Sequence, residues 1–567
     1  MSSRSGSFNI GESLHQAVAL QRQGQLREAE KIYGRVLKAA PGNFDALNLL
    51  GVVKLQQGQA GEAQRLLSAA VKANPRAAGA WSNLGQALHA LKRAPEALEC
   101  LDKARALAPD DVAILNQHAN VLVSLNRLQQ ALAELQQVLA RVPNHVEARL
   151  TSGLSRAMLG FPEQALADFD AALALAPGHP GGHFNRGVAL LTLGRYVEAV
   201  EANDRALVIA PEYAAAWLNH GKALMQLNRV DEAIASYGEA LEIRKDYADA
   251  HFNMALALLT RGDYRRGFEE YEWRWRRTGM PAQKSRGKPL WLGEYPLGRK
   301  AVLLHAEQGL GDTIQFARYV PRIAANGAKV ILEVQTELKS LMQRLEGAAA
   351  VIGRGENAPA FDVHCPLGSV PLALRTEPTT VPAQIPYLAA DDTQVAKWSA
   401  RLGALPRPRV AIAWSGNPSH DNDRNRSIAL ARLAPLFAAP ASFVSVQRDV
   451  RAEDAAALAA EKRIIHLGAE LADFSDTAAV LASCDLVIAV DTAPAHLAGA
   501  IGRPVWVLLA FAPDWRWTRE GATTPWYPTA RLFRQTSLAD WDGVIARVVE
   551  ELGSLCAAAD SSFHRRE

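Results

Sequence analysis

A helical-repeat array followed by a two-lobed α/β domain is the fold class that three observations in this sequence predict. Prolines recur at positions 41, 75, 109, 143, 177 and 211, each 34 residues after the last. Beyond residue 300, continuous apolar runs such as "KVILEV", "DLVIAV" and "PVWVLL" alternate with helical patterns, the signature of parallel sheets covered on both faces. The chain, at 567 residues, exceeds what one hydrophobic core usually serves.

The repeats come first. A small residue keeps the proline period at Ala29, Ala63, Ala97, Ala131, Ala165, Ala199, Ala233 and Gly267, and a second one at Gly51, Gly85, Ala119, Gly153, Gly187, Gly221 and Ala255. Small side chains let two helices approach closely, and proline stops the second helix of each pair. The period and the segments "AWSNLGQAL" and "AWLNHGKAL" resemble tetratricopeptide repeats, of which about eight fit residues 10–281. Such repeats stack into a superhelix whose concave face suits an extended protein or peptide. Asn83, Asn185, Asn219 and Asn253 occupy one position of the first helix. Their amides can donate to and accept from a peptide backbone, a ladder also found in the repeat arm of O-linked N-acetylglucosamine transferases. The alternative is that asparagine is simply tolerated there, since Gln117 and Thr151 interrupt the ladder.

Residues 282–299 read as a linker rich in Pro, Gly and Lys, with Trp273, Trp275 and Trp291 expected to pack the junction. Two α/β series follow, an N-terminal Rossmann-like lobe over 300–388 with strands "AVLLH", "KVILEV" and "DVHCPL", and a C-terminal one over 389–556 that binds nucleotide sugar. The strands of the second are "RVAIAWSG", "SFVSVQ", "IIHLG", "DLVIAV" and "PVWVLL". Residues 1–11 and 557–567 read as disordered.

Composition narrows the function classes. Apolar residues at 49% and charged residues at 21% suit a soluble protein, and Lys+Arg 62 against Asp+Glu 59 gives no reason to expect a nucleic-acid partner. No apolar run approaches a membrane span, and "MSSRSGSFNIGES" lacks a signal-peptide core, so a cytoplasmic location is expected. Cys100, Cys365, Cys484 and Cys556 form no metal or CxxC spacing and read as free thiols.

Two segments carry chemistry. In "HAEQGLGDTIQF" a strand passes through glycines Gly309 and Gly311 into a helix, an architecture that often cradles phosphate, yet Asp312 at its mouth would repel one. Asp312 reads either as a general base, held ionised by the helix dipole, or as the N-cap of a capping box with Gln315. In "DLVIAVDTAPAHLAGAIG" a strand ends at Val490, Asp491, Thr492 and Ala493 turn, and Pro494 takes the first helical position. The free amides there and the Thr492 hydroxyl make a diphosphate cradle, with Asp491 either binding ribose or sugar hydroxyls or bracing the turn.

"DTAPAHLAGAIG" and the "GLGD" turn resemble motifs of the ADP-heptose:lipopolysaccharide heptosyltransferase family, whose fold is the two-lobed GT-B type. Repeats fused to such a domain give a layout like that of O-linked N-acetylglucosamine transferases. The resemblance covers roughly residues 300 to 550. It implies that Asp312 is the base, that Gln308, Gly309 and Gly311 form the acceptor loop, and that Thr492, Ala493 and His496 line the donor diphosphate. The family also carries a lysine after the strand opening its second lobe, which "AWSGNPSHDNDRNRSIAL" lacks. Arg424 and Arg426 are the cations at hand, with Ser415 and Asn417 as further donors, unless the loop is merely solvated and self-paired. Gln447 reads as a contact to the nucleotide or as a plain loop residue. Trp515 and Trp517 read as packing or as a wall of the base pocket.

The function these readings imply is an inverting glycosyltransferase. It would move a sugar from a nucleotide-diphosphate donor to an acceptor, first a protein held by the repeats and otherwise a saccharide, without metal or other cofactor. The alternative is a repeat scaffold whose transferase-like domain has lost activity.

Overall fold

The computed structural model describes residues 9–279, 286–420 and 422–563. Eight helix pairs run from Ile10–Arg22 and Leu26–Ala39 to Ala248–Arg261 and Tyr264–Tyr271. The periodic glycines seat the pairs. A β-carbon at Gly51, Gly85, Gly153, Gly187 or Gly221 would stand 2.5–2.7 Å from the residue sixteen positions later, namely Leu67, Leu101, Phe169, Asn203 or Tyr237. A second period lies in the turn within each pair, where Gly24, Gly58, Lys92, Asn126, Gly160, Gly194, Asn228 and Gly262 all take positive φ. Glycine and asparagine dominate because they tolerate that backbone best.

The chain forms two compact units that divide between Glu212 and Tyr213, inside the repeat array and not at residues 282–299. The last two repeats fall in the same unit as the α/β domain, and aromatic side chains of the last one enter its core. Tyr264, Phe268 and Tyr271 join one hydrophobic cluster with strand and helix residues beyond 300. Part of the expected linker also joins the domain: Trp291 donates its amide to His364 O at 2.9 Å and is buried. Residues 280–285 lie outside the described residues.

The first α/β lobe is a parallel sheet of β1 (Ala301–His305), β2 (Lys329–Val334), β3 (Ala348–Gly353) and β4 (Val363–Pro366), in the order β3-β2-β1-β4. The second holds β5 (Arg409–Ala413), β6 (Ser442–Ser445), β7 (Ile464–His466), β8 (Leu486–Val490), β9 (Val505–Leu509) and β10 (Ala530–Arg534), in the order β10-β9-β8-β5-β6-β7. Every neighbouring pair is parallel. Strands β3 and β10 were not among the expected ones. Both are terminal in their sheets, and β3 is alanine-rich, a composition that favours helix.

Each expected disordered end is revised in part, and residues 564–567 lie outside the described residues. Residues 1–8 lie outside the described residues, but Gly11 sits in the first helix, capped by Asn9. Residues 557–563 continue the helix Trp541–Phe563. Its apolar residues Ile545, Val548, Leu552 and Cys556 are spaced three to four apart and are buried together with Val544, so the helix docks along one face. The four cysteines are buried, and none forms a disulfide.

Candidate active site where two helix N-termini meet

The chain leaves β1 through Glu307, Gln308 and Gly309 into the helix Leu310–Ala317. Gly309 is the N-cap, which makes Asp312 the third helical residue and corrects the capping box expected between Asp312 and Gln315. Asp312 instead reaches back, its Oδ2 accepting the Gly309 N–H at 2.9 Å. Gln315 is buried, and its side-chain oxygen accepts from Arg516 Nε. The box closes three residues early because Gly309 and Leu310, not Asp312, make the change from extended to helical backbone.

Arg516 also pairs with Asp312 Oδ1 and, at 2.9 Å, with Asp514. Burial opposes its charge, but Asp514 and Asp312 outweigh that and hold the guanidinium above its ordinary value. Each Asp312 oxygen thus accepts one bond, and 26% of the side chain stays exposed. A carboxylate oxygen has two acceptor positions, so a further hydroxyl can be accommodated on the open side.

In the second lobe, β5 and β8 are the neighbours from which the strand order runs outward in both directions, the switch point where open α/β sheets bind ligands beyond their carboxyl ends. Trp414 to Asn417 leave β5, and Asp491 and Thr492 leave β8 into the helix Ala493–Ala500. Arg426 spans the two segments. Its Nη1 donates to Asp491 O at 3.1 Å, and its guanidinium lies on Gly416, where a β-carbon would stand 2.7 Å from Nη2. Ser415 is buried beside them, with its hydroxyl lacking a partner among the described residues. Thr492 is the N-cap, yet its hydroxyl turns back to Val490 O at 3.3 Å and leaves the first-turn amides without a side-chain cap. Pro494 is the second helical residue, not the first as expected, and its missing N–H would be unpaired at either place.

Gly311 brings the two helix mouths together. A β-carbon there would stand 2.8 Å from His496 Cδ2 and 3.7 Å from Ala493 Cα. His496 is fixed from behind, stacked on Trp517 at 5.0 Å between ring centres and bonded through Nδ1 to the Tyr527 hydroxyl at 3.0 Å. Burial first, then the arginines Arg516, Arg318 and Arg426, hold its pKa well below the ordinary value, so the ring is neutral. For Asp491, burial and the nearby Asp514 carboxylate push the carboxyl up to about 6, against Arg426 and Arg516. A carboxyl so placed repels an incoming anion less than an ordinary aspartate would.

Residues 442–539, which include the Asp491 turn and Arg516, match the family model described as glycosyltransferase family 9 (heptosyltransferase). Tetratricopeptide-repeat models match residues 20–78, then 53–112, 116–180 and 150–214, and finally 221–262. The chain carries tetratricopeptide repeats and a glycosyltransferase family 9 domain. Protein FlbA of Caulobacter vibrioides is 31% identical over 332 residues, which is 54% of this chain and 55% of that one. The chain thus spans about half the length of this curated relative. Among solved structures, a tetratricopeptide repeat protein of Parabacteroides merdae is 16% identical with a TM-score of 0.37, covering 44% of this chain and 98% of its own. A thermophilic TPR protein of Thermus thermophilus is 26% identical with a TM-score of 0.29, covering 32% and 100%. No helix among the described residues is long and apolar enough to cross a membrane.

Within the glycosyltransferase family 9 domain, Gln447 is corrected as a donor contact. It is buried, and its amide is used up internally, accepting from the Trp414 and Ser415 amides at 3.1 and 3.2 Å and donating to Ser415 O and Asp449 O at 3.1 Å. It stitches the end of β5 to that of β6. Asn417 is exposed and accepts the Ser419 amide and hydroxyl, while Arg424 is exposed on the short helix Asp423–Arg426. Trp515 and Trp517 are core residues, buried to 2% and 0% exposure. In the repeats, Asn83 donates to Asn48 at 3.0 Å, Asn253 donates to Asp249 O in its own helix at 2.7 Å, Asn219 is buried and Asn185 is half-buried.

Two arginines at the site were not among the expected residues. Arg516 hides in an aromatic stretch, "DWRW", and its partner Asp312 lies 204 residues away. Arg451 binds Asp423, Ser427 and Gly416 O, and so fixes the loop that carries Arg426. The only signal for either was its position after a strand end.

Proposed function

We propose that the glycosyltransferase family 9 domain transfers a sugar, with inversion, from a nucleotide-diphosphate donor to an acceptor hydroxyl. The observation that carries this reading is the juxtaposition, through Gly311 and His496, of a helix mouth with an available carboxylate and another with uncapped amides and an arginine. The donor diphosphate binds at the Ala493–Ala500 mouth, where amides, the helix dipole and Arg426 supply positive character without a metal. Ser415 offers at that mouth a hydroxyl donor unpartnered among the described residues, and Thr492 offers a second once its hydroxyl turns from Val490 O. The acceptor enters over Gln308, Gly309 and Gly311. Its oxygen attacks the anomeric carbon as its proton passes to Asp312, and the bond to the diphosphate breaks with the electron pair leaving on the nucleotide. Arg516 aims the carboxylate at the acceptor. The repeats recruit a protein, which is either the acceptor itself or a carrier of it.

A second reading, a repeat scaffold with an inactive domain, draws support from the two bonds Asp312 already makes and from the absence of lysine between Trp414 and Leu430. Titration with UDP-, GDP- and ADP-sugars separates the two. Saturable binding of one donor and its slow hydrolysis are expected; binding of none, with no hydrolysis, would leave only the scaffold.

A further inference from the structure

Three consecutive residues, Glu307, Gln308 and Gly309, form the turn that delivers Asp312, and each is held by a different group. Gly309 is held by Asp312 itself. The other two are held by the end of the last repeat. Tyr271, the final residue of the helix Tyr264–Tyr271, accepts a hydrogen bond from Gln308 Nε2 at 2.7 Å. Arg274 follows in the 3-10 turn Glu272–Arg276, where it is 3% exposed, and donates to Glu307 Oε1 at 3.2 Å and to Ser369 Oγ at 2.6 Å. Glu272 completes this cluster, accepting from both Arg274 and Ser369. From the far side, Gln335 Nε2 donates to Gln308 O at 2.8 Å, while its oxygen accepts from Thr313 Oγ1 at 2.9 Å. The turn is therefore clamped between the repeat array and the lobe that contains it.

The repeats touch the other half of the site too. Tyr264 and Phe268 pack edge-on against Trp515, the neighbour of Arg516, and the Tyr264 hydroxyl accepts from Trp526 Nε1 at 3.1 Å. Asn425, next to Arg426, donates to Gln226 of the seventh repeat at 3.1 Å.

We propose that Tyr271 and Arg274 are positioning residues for Asp312, so that the last repeat is a working part of the transfer site and not a tether to it. A polar clamp suits this role because each bond has a direction. Apolar packing alone would bury the turn without fixing where the Gly309 amide, and through it the Asp312 carboxylate, points. The proposal rests on the reading of Asp312 as the base.

Its test uses the full chain carrying Tyr271→Phe or Arg274→Lys, with Arg265→Ala, an exposed change on the same helix, as control. Two quantities are measured, turnover with the donor found by titration and amide hydrogen exchange of the segment 306–317. The expected result is a fall in kcat of about ten- to a hundredfold with donor KM within twofold, together with faster exchange in that segment and no change in the control. Unaltered exchange in both variants would overturn the clamp, whether or not the protein turns over. Faster exchange with unaltered kcat would overturn the positioning role. Wild-type protein that neither binds nor hydrolyses any donor would instead defeat the reading of Asp312, while the exchange result would still decide the clamp.

Discussion

At the mouth of the helix Leu310–Ala317 a carboxylate sits among the first-turn amides and takes the Gly309 N–H. At the mouth of the helix Ala493–Ala500 no side chain does so, because Thr492 bonds backwards to Val490. Both openings follow a parallel strand, and both meet at Gly311 and His496. A helix start is electropositive by default, and what fills it decides what it can bind. The first is closed to an anion by Asp312 and Arg516 bound to each other. The second is open, with Arg426 alongside. Under the proposed function, proton transfer belongs to one mouth and diphosphate binding to the other, and substitutions can break that division.

The largest effect is expected from Asp312→Asn, which preserves the shape and one acceptor oxygen but removes the base. Turnover should fall roughly 10²–10⁴-fold, measured as product formed per enzyme at saturating donor. Next, Arg426→Ala should weaken nucleoside-diphosphate binding by about tenfold or more, since a charge-assisted bond is worth about 1.5–3 kcal/mol; calorimetric titration measures it. Gly311→Ala should destabilise the protein by about 1–3 kcal/mol, read from denaturant unfolding, because the His496 ring it meets is wedged by Trp517 and Tyr527 and cannot yield.

The smallest effect concerns Glu307, whose carboxyl burial pushes up to about 7, against the pull of Arg274 and the Gly368 amide. Between about pH 4.5 and 7 the folded chain keeps a proton that the unfolded chain releases. This group's contribution is therefore full below pH 4.5 and lost as pH rises through 7. Relative to Glu307→Gln, wild-type stability should fall by about 1 kcal/mol between about pH 6 and 8, followed by unfolding at each pH.

Much of this molecule could be read from local pattern. The 34-residue period located every repeat, since each periodic glycine answers a contact within its own helix pair, as Gly85 does with Leu101. Eight of the ten strands were visible as apolar runs; "AAAVIG" and "ARLFR" were not, because alanine and alternating arginine carry little strand signal. The strand-end motifs located both helix mouths for the same reason: turn, glycine or proline, and helix lie within a dozen residues. What could not be read was pairing over long separations. The bond between Asp312 and Arg516 and that between Tyr271 and Gln308 exist only because sheets and repeats pack, and Gln447 looked available because its four bonds reach two different strand ends.

The division of labour between the mouths is tested most directly by nucleoside-diphosphate affinity in Asp312→Asn, measured with the nucleotide of the donor that binds wild type. Affinity within twofold of wild type is expected in a protein that no longer transfers sugar. A loss of affinity matching the loss of turnover would contradict it, because the carboxylate would then belong to the diphosphate site.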